Sequence, residues 1–249
     1  MSNASVLVAR DIVREHGQGA GRVRALKGVN LSIEPGELTL LMGPSGSGKT
    51  TLLSILGCIL APTSGQLAVN GIETQGLTPE QLAGIRRKNI GYAFQSYNLF
   101  PTLTAMENVR LALDVRGFSG TEAAAMALTA LKSVGLGHRL KAYPRTMSGG
   151  EQQRVAMARA LAGSPSLILA DEPTAALDSE NGQGVMALIQ QLARDESRAV
   201  LAVTHDHRTL PFADRIVTIE DGLIVGDRRQ KPDVKPPQNS RSEAHTMKA

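Results

Sequence analysis

Eight residues, Gly43-Pro44-Ser45-Gly46-Ser47-Gly48-Lys49-Thr50, have the types and spacing of a polyphosphate cradle, G-x-x-x-x-G-K-[ST]. The glycines let the backbone turn its N–H groups inward, the lysine adds a point charge, and the hydroxyl beside it suits Mg²⁺. Gly43, Ser45, Gly46, Ser47, Gly48, Lys49, Thr50 and Thr51 are therefore expected to contact phosphate, with Thr50 also on the metal. A second group is Ser166-Leu167-Ile168-Leu169-Ala170-Asp171-Glu172, an apolar run that ends in two carboxylates. Asp171 is expected to hold Mg²⁺ through water, and Glu172 to reach the water that attacks a γ-phosphate. Alone, such an ending also fits a helix start, since acids favour helix N-termini and Pro173 follows. The phosphate loop upstream favours the catalytic reading.

These groups need a scaffold. Val6 to Val8, Val29 to Ile33 and Leu38 to Met42 are short β-favouring runs, and Pro35-Gly36-Glu37 supplies a turn before the last of them. That last strand feeds the phosphate loop, and Thr50 to Leu60 follows as an apolar helix stopped by Pro62 and Gly65. Leu67 to Val69 with Asn70-Gly71 reads as a strand entering a tight turn. From about Ser96 to Met147, Ala-rich periodic segments around Thr104 to Arg116 and Thr121 to Val134 suggest a mostly helical insert. After Glu151 the pattern alternates: helix, strand Leu167 to Ala170, helix Gly182 to Arg194, strand Ala199 to Val203. Such alternation is expected of a parallel sheet with crossover helices. A hairpin around Asp221-Gly222 closes the fold.

With 249 residues, 42% of them hydrophobic, one substantial core suffices. No apolar run reaches the roughly 18 residues a membrane span needs, so any membrane role is expected to come through a partner. Met1 to Arg10 lacks the pattern of an export signal, and a single cysteine, Cys58, suits a reducing compartment. Formal charge is +4, and Asp227 to Ala249 holds six Lys or Arg against three acids, with three prolines. This segment is expected to be a disordered basic tail. Aromatic content of 3% with no aromatics among the basic residues argues against nucleic acid as a partner.

A third motif, Met147-Ser148-Gly149-Gly150-Glu151-Gln152-Gln153-Arg154, joins the other two. From about Val6 to Gly226 the chain resembles ATP-binding-cassette (ABC) nucleotide-binding domains, its motifs following one another in the family's order. The resemblance implies an α/β P-loop NTPase cassette: a RecA-like parallel-sheet core, an N-terminal antiparallel β subdomain and a helical insert at about 96–147. The cassette is expected to span 1–226, with the tail at 227–249. ATP and Mg²⁺ are the implied cofactors, and ATP hydrolysis the implied reaction. Gln95 is similar to the glutamine that links the metal site to the insert. Ser148, Gly149 and Gly150 resemble the signature that caps the γ-phosphate held by an opposite subunit, so a homodimer on ATP binding is implied. Asp178, in Ala176-Leu177-Asp178, resembles the loop crossing that dimer interface, and His205 the switch histidine; with Glu172 and Lys49 these form the expected catalytic set.

Two residues depart from the family's pattern. Met147 replaces the usual Leu, a volume-conserving change. His16, upstream of Val23, stands where an aromatic residue usually stacks on adenine. Imidazole offers less area than phenol and can be protonated, so weaker or more pH-sensitive ATP binding is expected. The stretch Phe94 to Ala105 with Glu107-Asn108-Val109 resembles the branch of lipoprotein-releasing and macrolide-exporting cassettes. That resemblance implies a membrane permease partner with an extracytoplasmic domain, periplasmic or outer-membrane components beyond it, and a peripheral place at the cytoplasmic face of the inner membrane. Tyr97, Leu99 and Phe100 are candidate apolar contacts for the permease or, equally, core of the insert. A regulatory cassette signalling to extracytoplasmic enzymes is the alternative the same motifs allow.

Overall fold

Chain direction reverses early: β1 (Leu7–His16) pairs antiparallel with β2 (Val23–Ile33), from Leu7 opposite Ile33 to His16 opposite Val23. The structure, a computed structural model, describes residues 5–17 and 19–233. Both strands run longer than their apolar stretches because only one face is covered. Leu7, Ile12, Leu26 and Ile33 are fully buried, while polar neighbours such as Arg10 and Lys27 face water. β3 (Leu38–Met42) leads into the phosphate loop and α1 (Lys49–Leu56), which ends at Gly57, short of the expected Leu60. β4 (Ser64–Val69) and the brief β5 (Ile72–Glu73) complete an antiparallel sheet of order β2-β1-β4-β5.

Two elements have no counterpart in the sequence reading, α2 (Pro79–Asn89) and β6 (Ile90–Ala93). α2 has a start signal, Thr78 with Gln81 three residues on and Pro79 in the first turn, yet Ile85 is its one buried residue, so its apolar period is faint. The insert is helical as expected, with α3 (Ala105–Arg116) and α4 (Gly120–Ser133). α5 (Gly149–Leu161), β7 (Leu167–Asp171), α6 (Ser179–Ala193), β8 (Ala199–Val203), a 3-10 turn at His207–Phe212, β9 (Arg215–Glu220) and β10 (Leu223–Arg229) follow. The second sheet has the order β10-β9-β3-β8-β7-β6; its four pairings from β9 to β6 are parallel, and β10 closes as an antiparallel hairpin.

The core lies on both faces of that second sheet. Leu38, Leu40 and Met42 pack toward α3 to α6, while Leu41 packs toward α1 and the first sheet. Ile168 and Ala170 alternate in the same way with Leu167 and Leu169. A strand covered on two sides reads as an unbroken apolar run, and burying each such leucine stabilises the fold by about 1.5–3 kcal/mol.

Regular structure continues past residue 226, the expected end of the cassette. β10 runs on to Arg229, and Asp227 accepts two hydrogen bonds from Arg215, at 2.8 and 2.7 Å. Gln230 donates to the Leu210 and Ala213 carbonyls, and the Asp233 N–H to the Pro211 carbonyl. Polar edge pairing and a guanidinium buried at Arg215 order this stretch where apolar content is low. Residues 234–249 of the expected tail lie outside the described residues.

Candidate functional site

The phosphate loop joins the end of a buried strand to the start of a helix, and the two ends dictate its chemistry. Gly48 is the residue before α1 and has φ 102°, a left-handed conformation that glycine adopts without strain; a Cβ there would lie 2.8 Å from the Ala25 carbonyl oxygen. α2, α3, α5 and α6 begin with side chains that accept from their own first-turn N–H groups: Thr78, Thr104, Ser148 and Asp178. α1 has no side-chain cap, so its first N–H donors, at the positive end of the helix dipole, stay free for an anion.

A cavity of about 690 Å³ opens there, lined by Ser45, Gly46, Gly48, Lys49, Thr50 and Thr51 of the loop and by Gln95, Glu172 and His205 from three other segments. The Lys49 ammonium donates to the Gly43 and Pro44 carbonyls, 2.7 Å from each, so it is held over the loop with a donor to spare. Ser47 is buried, and its hydroxyl oxygen has no partner. Ala25 and Pro44 also line the cavity, and neither has a polar side chain that would have drawn attention in the sequence. The turn at Asp221-Gly222 proves to be a buttress for the loop. Gly222 N–H donates to the Ser47 carbonyl at 3.0 Å, and its own carbonyl accepts from Lys27 N–H at 2.9 Å.

β7 delivers the two carboxylates to different places. Asp171 is buried at the strand end, and burial first, then Glu172, pushes its carboxyl above the usual range, with Lys49 opposing. Its Oδ1 has no hydrogen-bond partner. A buried, unsatisfied oxygen beside the loop that carries Thr50 is what a hard oxygen-seeking cation would satisfy, so the residues fit Mg²⁺. Glu172 turns out of the strand at φ 45°, a strained conformation for a residue with a side chain, fixed by its N–H donating to the Val203 carbonyl at 2.9 Å. Its Oε1 lies 2.8 Å from His205 Nδ1, and with a carboxylate acceptor that nitrogen carries the proton. β8 places His205 beside it because Val203 pairs with Asp171 in parallel register.

The remaining expected residues lie elsewhere. Ser148, Gly149 and Gly150 open α5 away from the lining of the phosphate cavity. Ser148 Oγ accepts from Glu151 N–H at 3.2 Å, and the Glu151 carboxylate accepts from Ser148 N–H at 2.9 Å, so the Ser148 hydroxyl proton is left to donate outward. The Ser148 N–H and then Arg139 hold the Glu151 carboxyl below its ordinary range. Asp178 caps α6 through Asn181 N–H, the chief cause of its lowered pKa. Asn181 in turn packs against Gly150, where a Cβ would sit 2.7 Å from its Oδ1. Tyr97 and Leu177 close on Gly149 from the other side. Signature, capping aspartate and the segment after Gln95 thus form one packed unit. Leu99 packs on the insert core, whereas Phe100 stays 50% exposed.

His16 and Val23 form the terminal pair of the β1–β2 hairpin and are not among the cavity's lining residues. Val23 lies two residues from Ala25, hence on the same strand face, and is 64% exposed.

A family profile described as ABC transporter matches residues 26–175. Over 226 residues the chain is 45% identical to an uncharacterized ABC transporter ATP-binding protein, MJ0796, of Methanocaldococcus jannaschii, covering 89% of this chain and 95% of that one. It is 44% identical over 227 residues to a macrolide export ATP-binding/permease protein, MacB, of Marinobacter nauticus, matching 91% of this chain and spanning only 35% of that relative's length. Among solved structures, a dimeric structure of MJ0796, titled a bacterial ABC transporter cassette, superposes with TM-score 0.82 at 41% identity over 90% of this chain and 99% of that one. A second MJ0796 dimer, in a post-hydrolysis state bound to ADP and Pi, matches with the same values.

Proposed function

This chain belongs to the ABC transporter family as one of its ATP-hydrolysing cassettes, and from that premise we propose that two copies close around two ATP and drive a membrane permease in export. The arrangement of Lys49, Glu172 and His205 around one cavity at an uncapped helix start is the observation that carries the reading. The loop amides of Gly43 to Thr51 and the Lys49 ammonium hold the phosphates. Thr50, Asp171 and Gln95 are the residues that would hold Mg²⁺, which when bound would neutralise phosphate charge. Glu172 accepts a proton from water as the water oxygen bonds to the γ-phosphorus and the bond to the ADP oxygen breaks. His205 fixes the Glu172 carboxylate and faces the same phosphate.

Ser148, Gly149 and Gly150 complete the site of the second copy, offering N–H groups and the free Ser148 hydroxyl proton at the start of α5. Asp178 holds the crossing loop against that segment through Asn181. His16 and the exposed Val23 are the platform for the adenine ring. No described helix is long and apolar enough to cross a membrane, and we place the cassette peripherally at the cytoplasmic face of the inner membrane, against a permease with an extracytoplasmic domain. The MacB relatives favour export over the signalling alternative.

Phosphate release by Glu172→Gln tests the reading. Turnover is expected to fall at least about 100-fold, while ATP still binds and shifts the chain from monomer to dimer in light scattering. A variant that hydrolyses ATP normally, or stays monomeric with ATP, refutes it.

A further inference from the structure

A small cavity of about 20 Å³ lies where three segments of the site converge. Thr174, two residues after Glu172, lines it together with Asp178 and Ser179 at the start of α6 and with Asp206 and Arg208, just after His205. A space of that size is filled by about one water, so the three segments have little room to shift independently. Arg208 spans the junction. Its Nε donates to both Asp206 carboxylate oxygens, at 2.9 and 3.0 Å, and its Nη2 lies 2.8 Å from one of them, while its Nη1 donates to Ser179 Oγ at 2.6 Å. The Arg208 N–H also donates to Asp206 Oδ1 at 2.9 Å. These bonds hold the Asp206 carboxyl below its ordinary range, against partial burial. The His205 ring next to it is 66% exposed, and among the described residues its hydrogen bond is to Glu172 Oε1. With so little packed on the ring, its place depends on the backbone at either side. On one side Thr204 is fully buried, its N–H on the Leu41 carbonyl at 3.1 Å and its hydroxyl accepting from Asp206 N–H at 3.0 Å. On the other, Arg208 ties the turn to α6.

We propose that Arg208 is a positioning residue for hydrolysis: by bridging Asp206 to Ser179 it fixes the turn that carries His205 against the start of α6, and so keeps the Glu172–His205 pair aimed at the phosphate. The inference rests on the reading that Glu172 and His205 act on the γ-phosphate, and it names the residue that holds them in register with the Asp178 loop. Arg208 is not among the residues lining the phosphate cavity, so it acts through its neighbours. A guanidinium suits the task because its planar fork can grip a carboxylate with one edge and still donate elsewhere. Exposed ion pairs contribute little to stability, and this side chain is 60% exposed. Loss of the bridge is therefore expected to show in the rate and not in the melting temperature.

The test is steady-state phosphate release by the full chain carrying Arg208→Ala, Ser179→Ala or both. Arg208→Ala is expected to lower kcat about tenfold, less than the roughly 100-fold that a 1 Å misplacement can cost. KM for ATP should stay within about twofold of the parent, and the melting temperature within about 2 °C. Ser179→Ala should lower kcat at least about threefold, with the double variant within about twofold of Arg208→Ala, since both changes break one bridge. Arg208→Lys keeps a charge beside Asp206 but loses the fork, and should stay nearer to Arg208→Ala than to the parent. A parental kcat in Arg208→Ala, multiplied losses in the double variant, or full recovery with Lys would overturn the proposal. So would a raised KM, or loss of ATP-driven dimerisation when Arg208→Ala is added to Glu172→Gln; either would put Arg208 in nucleotide binding or between two copies. A lowered melting temperature with an unchanged kcat would make the arginine structural only. Should Arg208→Ala fail to fold, Ser179→Ala decides, and a parental kcat there overturns the proposal. Glu172→Gln tests the underlying reading separately. If it is inactive while Arg208→Ala is parental, this inference falls alone; if it hydrolyses ATP normally, the reading falls with it.

Discussion

At the residue scale, the site stores two unfavourable arrangements, the second of which a bound cation would relieve. Glu172 holds a left-handed backbone conformation, and Asp171 keeps a buried oxygen without a partner. The second has a consequence for pH. Because burial raises the Asp171 carboxyl above its ordinary range, the folded state binds that proton more tightly than the unfolded state. The free fold therefore loses stability as pH rises through the window between the ordinary and the raised value, and the loss persists above it. Asp171→Asn removes the charge and keeps the shape. Without metal or nucleotide it is expected to melt about 2 °C higher than the parent at neutral pH, with the gain fading as pH falls below 3.8, the ordinary aspartate value. Thermal melts across that range check it, and a lower melting temperature at neutral pH would show that the carboxylate has a partner after all. The same substitution should abolish Mg²⁺-dependent tightening of ATP binding.

At the element scale, three helices share one device and use it for different ends. α2, α3 and α5 each begin with a reciprocal box, Thr78 with Gln81, Thr104 with Glu107, Ser148 with Glu151. In α5 the box also fixes the residue proposed to reach a second copy's phosphate, and Arg139 braces the carboxylate at 3.0 Å. Glu151→Ala is expected to cost about 1 kcal/mol of stability in denaturant titration, while Glu151→Gln should recover most of it, since Gln81 already plays that part in α2. Equal losses in the two variants would mean that the Arg139 pair, and not the box, is what matters. Much of this scale was legible in the sequence. The strands β3, β7 and β8 and the insert helices α3 and α4 follow from apolar runs and periodicity. α2 and β6 escaped because little of α2 is buried and β6 is four residues long. The extension of β10 escaped because its order comes from Arg215, twelve residues away, rather than from its own composition.

At the scale of the whole molecule, the start of α5 is not among the residues that line the phosphate cavity, so one copy does not place Ser148 in its own cavity. If two copies form the site, function should be recoverable by mixing defects. A chain with Lys49→Ala and a chain with Ser148→Arg are each expected to be inactive. Mixed in equal amounts they should regain up to about a quarter of parental ATPase activity, because half the dimers are mixed and each has one intact composite site. Failure to regain activity, with mixed dimers demonstrated by differential tagging, would place the whole site within one chain.

The sequence by itself determined the chemistry available and its order along the chain: a phosphate loop between strand and helix, carboxylates at a strand end, a Ser-Gly-Gly helix start and a histidine after a buried strand. Those are local signals, set by backbone conformation and by which residues can bind phosphate, and they survive without knowledge of any long-range contact. Only the tertiary structure decided which of them meet. Parallel register between β7 and β8 sets Glu172 against His205, the β9–β10 turn supports Ser47, and Asn181 locks α6 to the start of α5. It also set Arg208 against Ser179, although 29 positions of the chain separate them. Contacts of that kind depend on how sheets and helices stack, which residue type and spacing along the chain do not encode locally.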